Sequence, residues 1–110
     1  MPKTEATKKS HVSTVETLWE DLGFSADEAA VLELKHTLHS EILKEVERQK
    51  LTPKQVGLAL DIQQPHVSTL LNGKISDISN DRLTKYLRRL GRQIKVTTRK
   101  APRIQGTEVA

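Results

Sequence analysis

Apolar residues between Ala26 and Gln49 recur at the spacing of one helix face, and the positions between them are mostly charged. Ser25 lies just before this pattern, and Glu28 lies three positions after Ser25, which is the spacing of a capping box. A helix should therefore begin near Ala26 and end near Gln49. The apolar stripe of this long first helix contains Ala29, Leu32, Leu38, Ile42 and Val46.

A second helix is expected to begin at Thr52-Pro53. Threonine supplies an oxygen that can cap the first turn, and proline at the first helical position lacks an N–H that would have no partner there. The pattern breaks at Asp61-Ile62. The inward positions of this helix are expected to be Val56, Ala59 and Leu60.

Two further helices are predicted beyond this break. The third runs from Gln64 to Leu71 and is closed by Asn72-Gly73, because glycine suits the left-handed conformation that follows a helix. The fourth lies between Ser79, a capping residue, and Gly91. Their expected buried residues are Val67, Leu70 and Leu71 on the third helix, and Leu83, Leu87 and Leu90 on the fourth.

Residues 93–99 alternate polar and apolar side chains in a composition that favours β-structure, so we predict one short strand here. A lone strand cannot satisfy its own backbone groups, and the sequence shows no second strand. We therefore expect the partner strand to come from another copy of the chain. Ile94 and Val96 would then lie at the contact between the two subunits of a homodimer.

The composition limits the chain to one modest domain. At 110 residues, with 35% hydrophobic and 3% aromatic residues, its core must be aliphatic, which favours packed helices. The sequence has no cysteine, no apolar leader and no apolar stretch long enough to cross a membrane. We therefore expect a soluble cytoplasmic protein that is nucleoid-associated when bound to DNA. The expected divisions are a flexible arm (1–17), a domain (18–92), the dimerisation strand (93–99) and a disordered tail (100–110).

The charged residues are distributed unevenly along the chain. Residues 11–50 hold nine acidic and four basic side chains, whereas residues 51–110 hold four acidic and eleven basic ones. A polyanionic partner should therefore meet the C-terminal half. Charge alone leaves open the alternative that these basic residues only keep the surface soluble. The same alternative applies to Lys85, Arg88, Arg89 and Arg92, which otherwise would extend a phosphate-binding surface.

The second and third helices, joined by a tight turn and preceded by a longer helix, form the arrangement of a helix-turn-helix. Opposite its apolar face, the third helix carries side chains that can meet base edges of duplex DNA: Gln64, Pro65, His66, Ser68 and Thr69. Candidates for holding phosphates lie at the edges of the two helices: Thr52, Lys54, Gln55, Gln63, Asn72 and Lys74. Gln64 is the strongest candidate reader, because a carboxamide can pair with adenine through two hydrogen bonds. The alternative is that Gln63 and Gln64 are only polar caps.

Residues 51–74 carry the motif Leu51-Thr52-x-x-x-Val56-x-x-x-Leu60-x-Ile62-x-Gln64-Pro65-x-Val67-Ser68-x-Leu70-Leu71-x-Gly73-Lys74. This motif resembles the Xre/Cro-type helix-turn-helix family, the fold of lambdoid phage repressors. With the segment Trp19-Glu20-Asp21-Leu22-Gly23-Phe24 before the long helix and the segment after Leu90, residues 18–99 are similar to the HigA-type antitoxins of toxin–antitoxin operons. The resemblance implies a mainly all-α, five-helix, lambda-repressor-like domain, here with a short C-terminal β-strand. It also implies a dimeric repressor that binds operator DNA in its own promoter and neutralises a RelE- or HigB-like, mRNA-cleaving toxin.

The resemblance assigns base reading to Gln64 and Thr69, and places Asn72 and Lys74 near phosphates. The chain also departs from the family's pattern. Pro53 stands where the family usually has glutamine, and Gly57 where it usually has alanine. Asp61 replaces the usual glycine of the turn, and Gln63 replaces the usual serine or threonine cap. Aspartate can adopt the left-handed conformation of the turn at some cost, so we expect the fold to survive and the affinity for DNA to be lower.

No arrangement typical of an enzyme is evident in the sequence, and we expect neither catalysis nor a cofactor. His36 and His39 lie three positions apart but lack a third ligand, so we expect no metal site and exposed or boundary histidines. Leu18, Trp19 and Phe24 would either pack as a staple against the long helix or form a toxin-docking patch. Two alternative functions stay open: a stand-alone phage-type regulator, and a module that chiefly binds a toxin.

Overall fold

The computed structural model describes Trp19 and residues 21–101. Within them it contains four helices, which are α1 (Ala26–Arg48), α2 (Pro53–Leu60), α3 (Gln64–Leu71) and α4 (Asn80–Arg89). The chain divides into an N-terminal unit, residues 1–33, and a C-terminal unit, residues 34–110, and α1 passes through the division. The predicted arm at 1–17 and all but the first two residues of the predicted tail lie outside the described residues.

The N-terminal unit contains the start of α1 and the aromatic residues before it. Ser25 and Glu28 form the expected capping box, because each backbone N–H donates to the other's side chain, at 3.0 and 3.1 Å. Phe24 donates its N–H to the Trp19 carbonyl at 3.0 Å, and the two rings meet edge to face with centroids 6.1 Å apart. Leu22, Phe24 and Val31 are exposed.

The C-terminal unit has an aliphatic core, as the composition predicts. Its most deeply buried side chains come from all four helices, and Tyr86 is the one aromatic residue in this core among the described residues. Ile75, in the connection between α3 and α4, is also buried. The core consists of Leu38, Ile42, Val56, Leu60, Val67, Leu70, Ile75, Leu83, Tyr86, Leu87 and Leu90.

The inward face of α2 differs from the prediction. Val56 and Leu60 are buried as expected, but Ala59 is exposed and Gly57 is buried in its place. Glycine has no side chain and contributes nothing to an apolar pattern, so periodicity could not identify it as the residue that faces α3.

The predicted helix ends are confirmed by their capping groups. Thr52 and Gln55 form a capping box at the start of α2, and the Ser79 hydroxyl accepts the Arg82 N–H at 3.0 Å at the start of α4. Gly73 and Gly91, which follow α3 and α4, have φ of 78° and 94°. These caps rest on residues a few positions apart, which is why the sequence indicates them.

The prediction of five helices followed by a C-terminal strand is wrong: the described residues form four helices and no strand. Residues 92–101 have no regular secondary structure. Ile94 and Val96 both line a groove of about 420 Å³ beside Leu38 of α1 and Leu87 of α4, and Val96 is 77% exposed there. Alternation detects a composition suited to a strand, but a strand needs hydrogen bonds to a second strand. The fifth helix was implied only by the family resemblance; Trp19 and Asp21 have helical backbone, and the residues before Trp19 lie outside the described part.

Candidate nucleic-acid interface

The turn between α2 and α3 is compact. Asp61 ends α2 in the left-handed conformation, with φ 58° and ψ 51°, and the Ile62 N–H donates to the Gly57 carbonyl at 3.0 Å. Gly57 lies so close to α3 that a β-carbon built on it would be 3.3 Å from Cγ2 of Val67. Asp61 and Gly57 are therefore both accommodated in a tight helix-turn-helix.

The predicted base-reading residues lie together on the outer side of α3. Val67 and Leu70 are buried and Leu71 packs against the core, so the other positions of the helix point away from it. Thr69 is half-buried, and the remaining four candidates, Gln64, Pro65, His66 and Ser68, are exposed. This helix therefore has one scaffold face and one polar face, as binding in the major groove requires.

Several of these polar groups already have partners within the chain. The Gln64 amide donates to the Pro53 carbonyl at 3.3 Å, which connects the start of α3 to the start of α2. The Thr69 hydroxyl donates to the Pro65 carbonyl at 3.0 Å, which uses its one hydrogen and leaves its oxygen as an acceptor and its methyl group for contact with a base. The Asn72 amide donates to the Ser68 hydroxyl at 3.2 Å.

The predicted phosphate-binding residues fall into two groups. Thr52 and Gln55 hold each other in the capping box: the Gln55 N–H donates to the Thr52 hydroxyl at 3.2 Å, and the Thr52 N–H donates to the Gln55 carboxamide at 2.8 Å. Lys54 and Lys74 are exposed at the edges of the two helices, together with Asn72. Gln63 occupies the N-cap of α3 but makes no side-chain cap hydrogen bond, so its carboxamide does not cap the helix.

A family model described as a helix-turn-helix domain matches residues 18–99 of the 110. The chain belongs to this helix-turn-helix family. The match covers all four helices and the segment that follows them. Comparison with curated proteins and with solved structures gives no match.

This membership makes the chain a DNA-binding regulator, because a helix-turn-helix presents its second helix to the major groove. In this helix-turn-helix that helix is α3. None of the described helices is both long enough and apolar enough to cross a membrane.

Arg89 supports the helix-turn-helix from α4. Its guanidinium donates to the Leu60 carbonyl at the C-terminal end of α2, where helix carbonyls lack partners within their own helix. Sequence reasoning offered Arg89 only as a solvated residue or a phosphate ligand. Nothing local to Arg89 indicates this contact, since its partner lies 29 positions away.

His39 supports the helix-turn-helix from α1, and sequence reasoning missed it. The side chain is buried, and its Nε2 lies 2.7 Å from the Leu70 carbonyl near the end of α3. A carbonyl only accepts, so in this contact Nε2 carries the hydrogen. His36 is exposed on the same helix, which shows that the two histidines face different surroundings. Among the described residues no group of three metal-ligating side chains is present.

Proposed function

We propose that the chain is a sequence-specific repressor that binds duplex operator DNA through the outer side of α3. The observation that carries the proposal is the division of α3 within a helix-turn-helix domain. Val67 and Leu70 lie in the core while Gln64 and Ser68 are exposed at the surface. A helix anchored on one face presents the other rigidly, which a reader of base edges needs.

The division of roles follows from the chemistry of the side chains. The Gln64 carboxamide offers a donor and an acceptor, which match the N7 and N6 positions of adenine in the major groove. The Thr69 methyl group suits a thymine methyl. Lys54, Asn72 and Lys74 are exposed near the ends of α2 and α3. In this proposal they contact the phosphates beside the groove and fix the register of the domain without reading sequence. In this proposal the chain binds and does not catalyse a reaction.

The test is selection from a randomised duplex library with the full chain, followed by fluorescence anisotropy on the enriched duplex. Gln64→Ala should weaken binding to that duplex by about 1–3 kcal/mol and relax the preference at one base pair per half-site. Gln93→Ala is the matched control, because Gln93 is an exposed glutamine outside the helix-turn-helix. If the Gln64→Ala protein kept the base preference of the wild type, Gln64 would not be the reader.

The finer proposal is an antitoxin that represses its own operon and binds a RelE- or HigB-like toxin. Its support is the resemblance over residues 18–99 and the exposed apolar side chains of Leu22, Phe24 and Val31 in the N-terminal unit. A small basic protein encoded beside this chain should co-purify with it, and Phe24→Asp should release that protein while leaving DNA binding intact. A neighbouring gene of another kind would favour the stand-alone regulator.

We also propose that the repressor is a homodimer, since Ile94 and Val96 remain 39% and 77% exposed in the single chain. A two-fold dimer would require a palindromic operator with half-sites about 34 Å apart. Analytical ultracentrifugation of Val96→Asp tests this: a wild type that sediments as a dimer and a variant that sediments as a monomer are expected. A monomeric wild type bound to a single half-site would contradict it.

A further inference from the structure

Gly57 is a buried glycine inside α2, at a position where helices usually have a residue with a side chain. Glycine destabilises a helix interior relative to alanine. Its backbone conformation is ordinary for a helix, since Gly57 is not among the glycines of positive φ. The reason for a glycine must therefore lie in what surrounds it.

The space that a β-carbon of residue 57 would fill is occupied by the side chain of Gln64. A β-carbon built on Gly57 would lie 2.7 Å from Gln64 Nε2, closer than real β-carbons approach. It would also lie 3.0 Å from the Ile62 carbonyl oxygen. The carboxamide of the candidate reader thus rests against the bare backbone of α2.

The same nitrogen donates a hydrogen bond to the first residue of α2. Gln64 Nε2 lies 3.3 Å from the Pro53 carbonyl oxygen. We call the Gly57 backbone together with the Pro53 carbonyl the Gln64 niche. Gln64 as a whole is exposed, so the niche holds the amide nitrogen without burying the residue.

This arrangement suits a group that must read a base. A carboxamide has two N–H donors and one carbonyl acceptor. One N–H binds Pro53, which leaves one donor and the acceptor, the pair that adenine requires. Because Pro53 offers only an acceptor, the nitrogen end of the amide must face it. The orientation of the reader is then set before DNA arrives, and less side-chain entropy is lost on binding.

We propose that Gly57 is a positioning residue for Gln64. Because glycine has no side chain, the Gln64 carboxamide can occupy the niche, and the sequence preference of the helix-turn-helix depends on that position. This inference rests on the proposed function, in which Gln64 reads the operator. Alanine at position 57 would displace the amide from the niche, because the far end of a flexible side chain yields more readily than the backbone.

The decisive experiment is a double-mutant cycle of Gly57→Ala and Gln64→Ala in the full chain, measured by anisotropy on the duplex enriched from a randomised library. Gly57→Ala alone should weaken binding about threefold to tenfold, as expected for one side chain that loses its pre-orientation. It should also relax the preference at the base pair that Gln64 reads. In the Gln64→Ala background, Gly57→Ala should change affinity less than twofold.

Two outcomes of the cycle would overturn this inference and leave the proposed function standing. In the first, the Gly57→Ala protein binds the enriched duplex as tightly as the wild type does. In the second, Gly57→Ala lowers the affinity by the same factor in the wild-type and the Gln64→Ala backgrounds. Equal losses would mean that Gly57 serves only the packing of α2 against Val67 and Ile62. If the library enriched no sequence, or if Gln64→Ala kept every base preference, the proposed function would fail and the inference with it.

A second measurement needs no variant and so does not depend on how Gly57→Ala folds. Side-chain ¹⁵N relaxation of free wild-type protein should show the Gln64 amide more ordered than the amide of Gln63, which makes no cap hydrogen bond. Equal mobility of the two amides would show that the niche does not hold Gln64, and would overturn the inference.

Discussion

Asp61 has a backbone conformation that is costly for its residue type. Its φ of 58° and ψ of 51° place it in the left-handed region, where the β-carbon approaches the carbonyl group. The side chain is exposed, and the residue closes α2 so that α3 can begin two positions after Ile62. The turn thus keeps its geometry with a residue that is less suited to it than glycine.

Replacing Asp61 by glycine should therefore stabilise the protein. We expect Asp61→Gly to raise the free energy of unfolding by about 1 kcal/mol, because the strain of the left-handed conformation is removed. Urea denaturation measures this change. Asp77→Gly is the control, since Asp77 has a negative φ and the added backbone freedom should lower stability there. A destabilised Asp61→Gly protein would contradict the strain argument.

At the scale of elements, the helices were predictable because their boundaries are local. Thr52 with Gln55 and Ser25 with Glu28 are pairs three positions apart, and the structure places helix starts at both. The predicted strand at 93–99 is absent from the structure, because alternation is a local signal whereas strand pairing depends on residues elsewhere. The exposed face of α3 is also a local feature, which periodicity indicates. The contacts that hold α3 in place join residues distant in the sequence, and periodicity does not indicate them.

His39 is the clearest of these non-local contacts, since it joins α1 to α3 across 31 positions. His39→Leu should lower the free energy of unfolding by about 1 kcal/mol, the value of one hydrogen bond. The loss should be no larger, because the Leu70 carbonyl also accepts the Gly73 N–H at 3.2 Å. Thermal or urea unfolding measures it.

The control is His36→Leu, an exposed histidine on the same helix, which we expect to change stability by less than about 0.5 kcal/mol. Equal effects of the two substitutions would show that the loss arises from α1 itself and that the bond to α3 contributes nothing.

At the scale of the molecule, the charge distribution and the helix-turn-helix coincide. All of α2, α3 and α4 lies within residues 51–110, the half of the chain with eleven basic and four acidic side chains. A field of this sign attracts the DNA backbone before any base is read. The position of this basic half was evident from the sequence, whereas the Arg89 contact with α2, which holds that cation against the helix-turn-helix, was not.

Lys74→Ala should weaken binding to enriched and unrelated duplexes by the same factor. It should also reduce the slope of log affinity against log salt by about 1, as expected when one phosphate contact is lost. Titrations at several salt concentrations measure this slope.

Lys44→Ala is the comparison, because Lys44 lies on α1 and is paired with Glu41 at 3.2 Å. Its slope should match the wild type. A Lys74→Ala protein that lost affinity for the enriched duplex only would instead make Lys74 a reader.

The two units of the chain carry different intrinsic fluorophores. The sequence has one tryptophan and one tyrosine, with Trp19 in the N-terminal unit and Tyr86 in the core of the C-terminal unit. Tryptophan emission, excited at wavelengths that tyrosine does not absorb, therefore reports on the segment before α1, and the tyrosine bands of the second-derivative absorbance spectrum report on the DNA-binding core. Unlabelled wild-type protein can thus show whether the two units melt together or in separate steps.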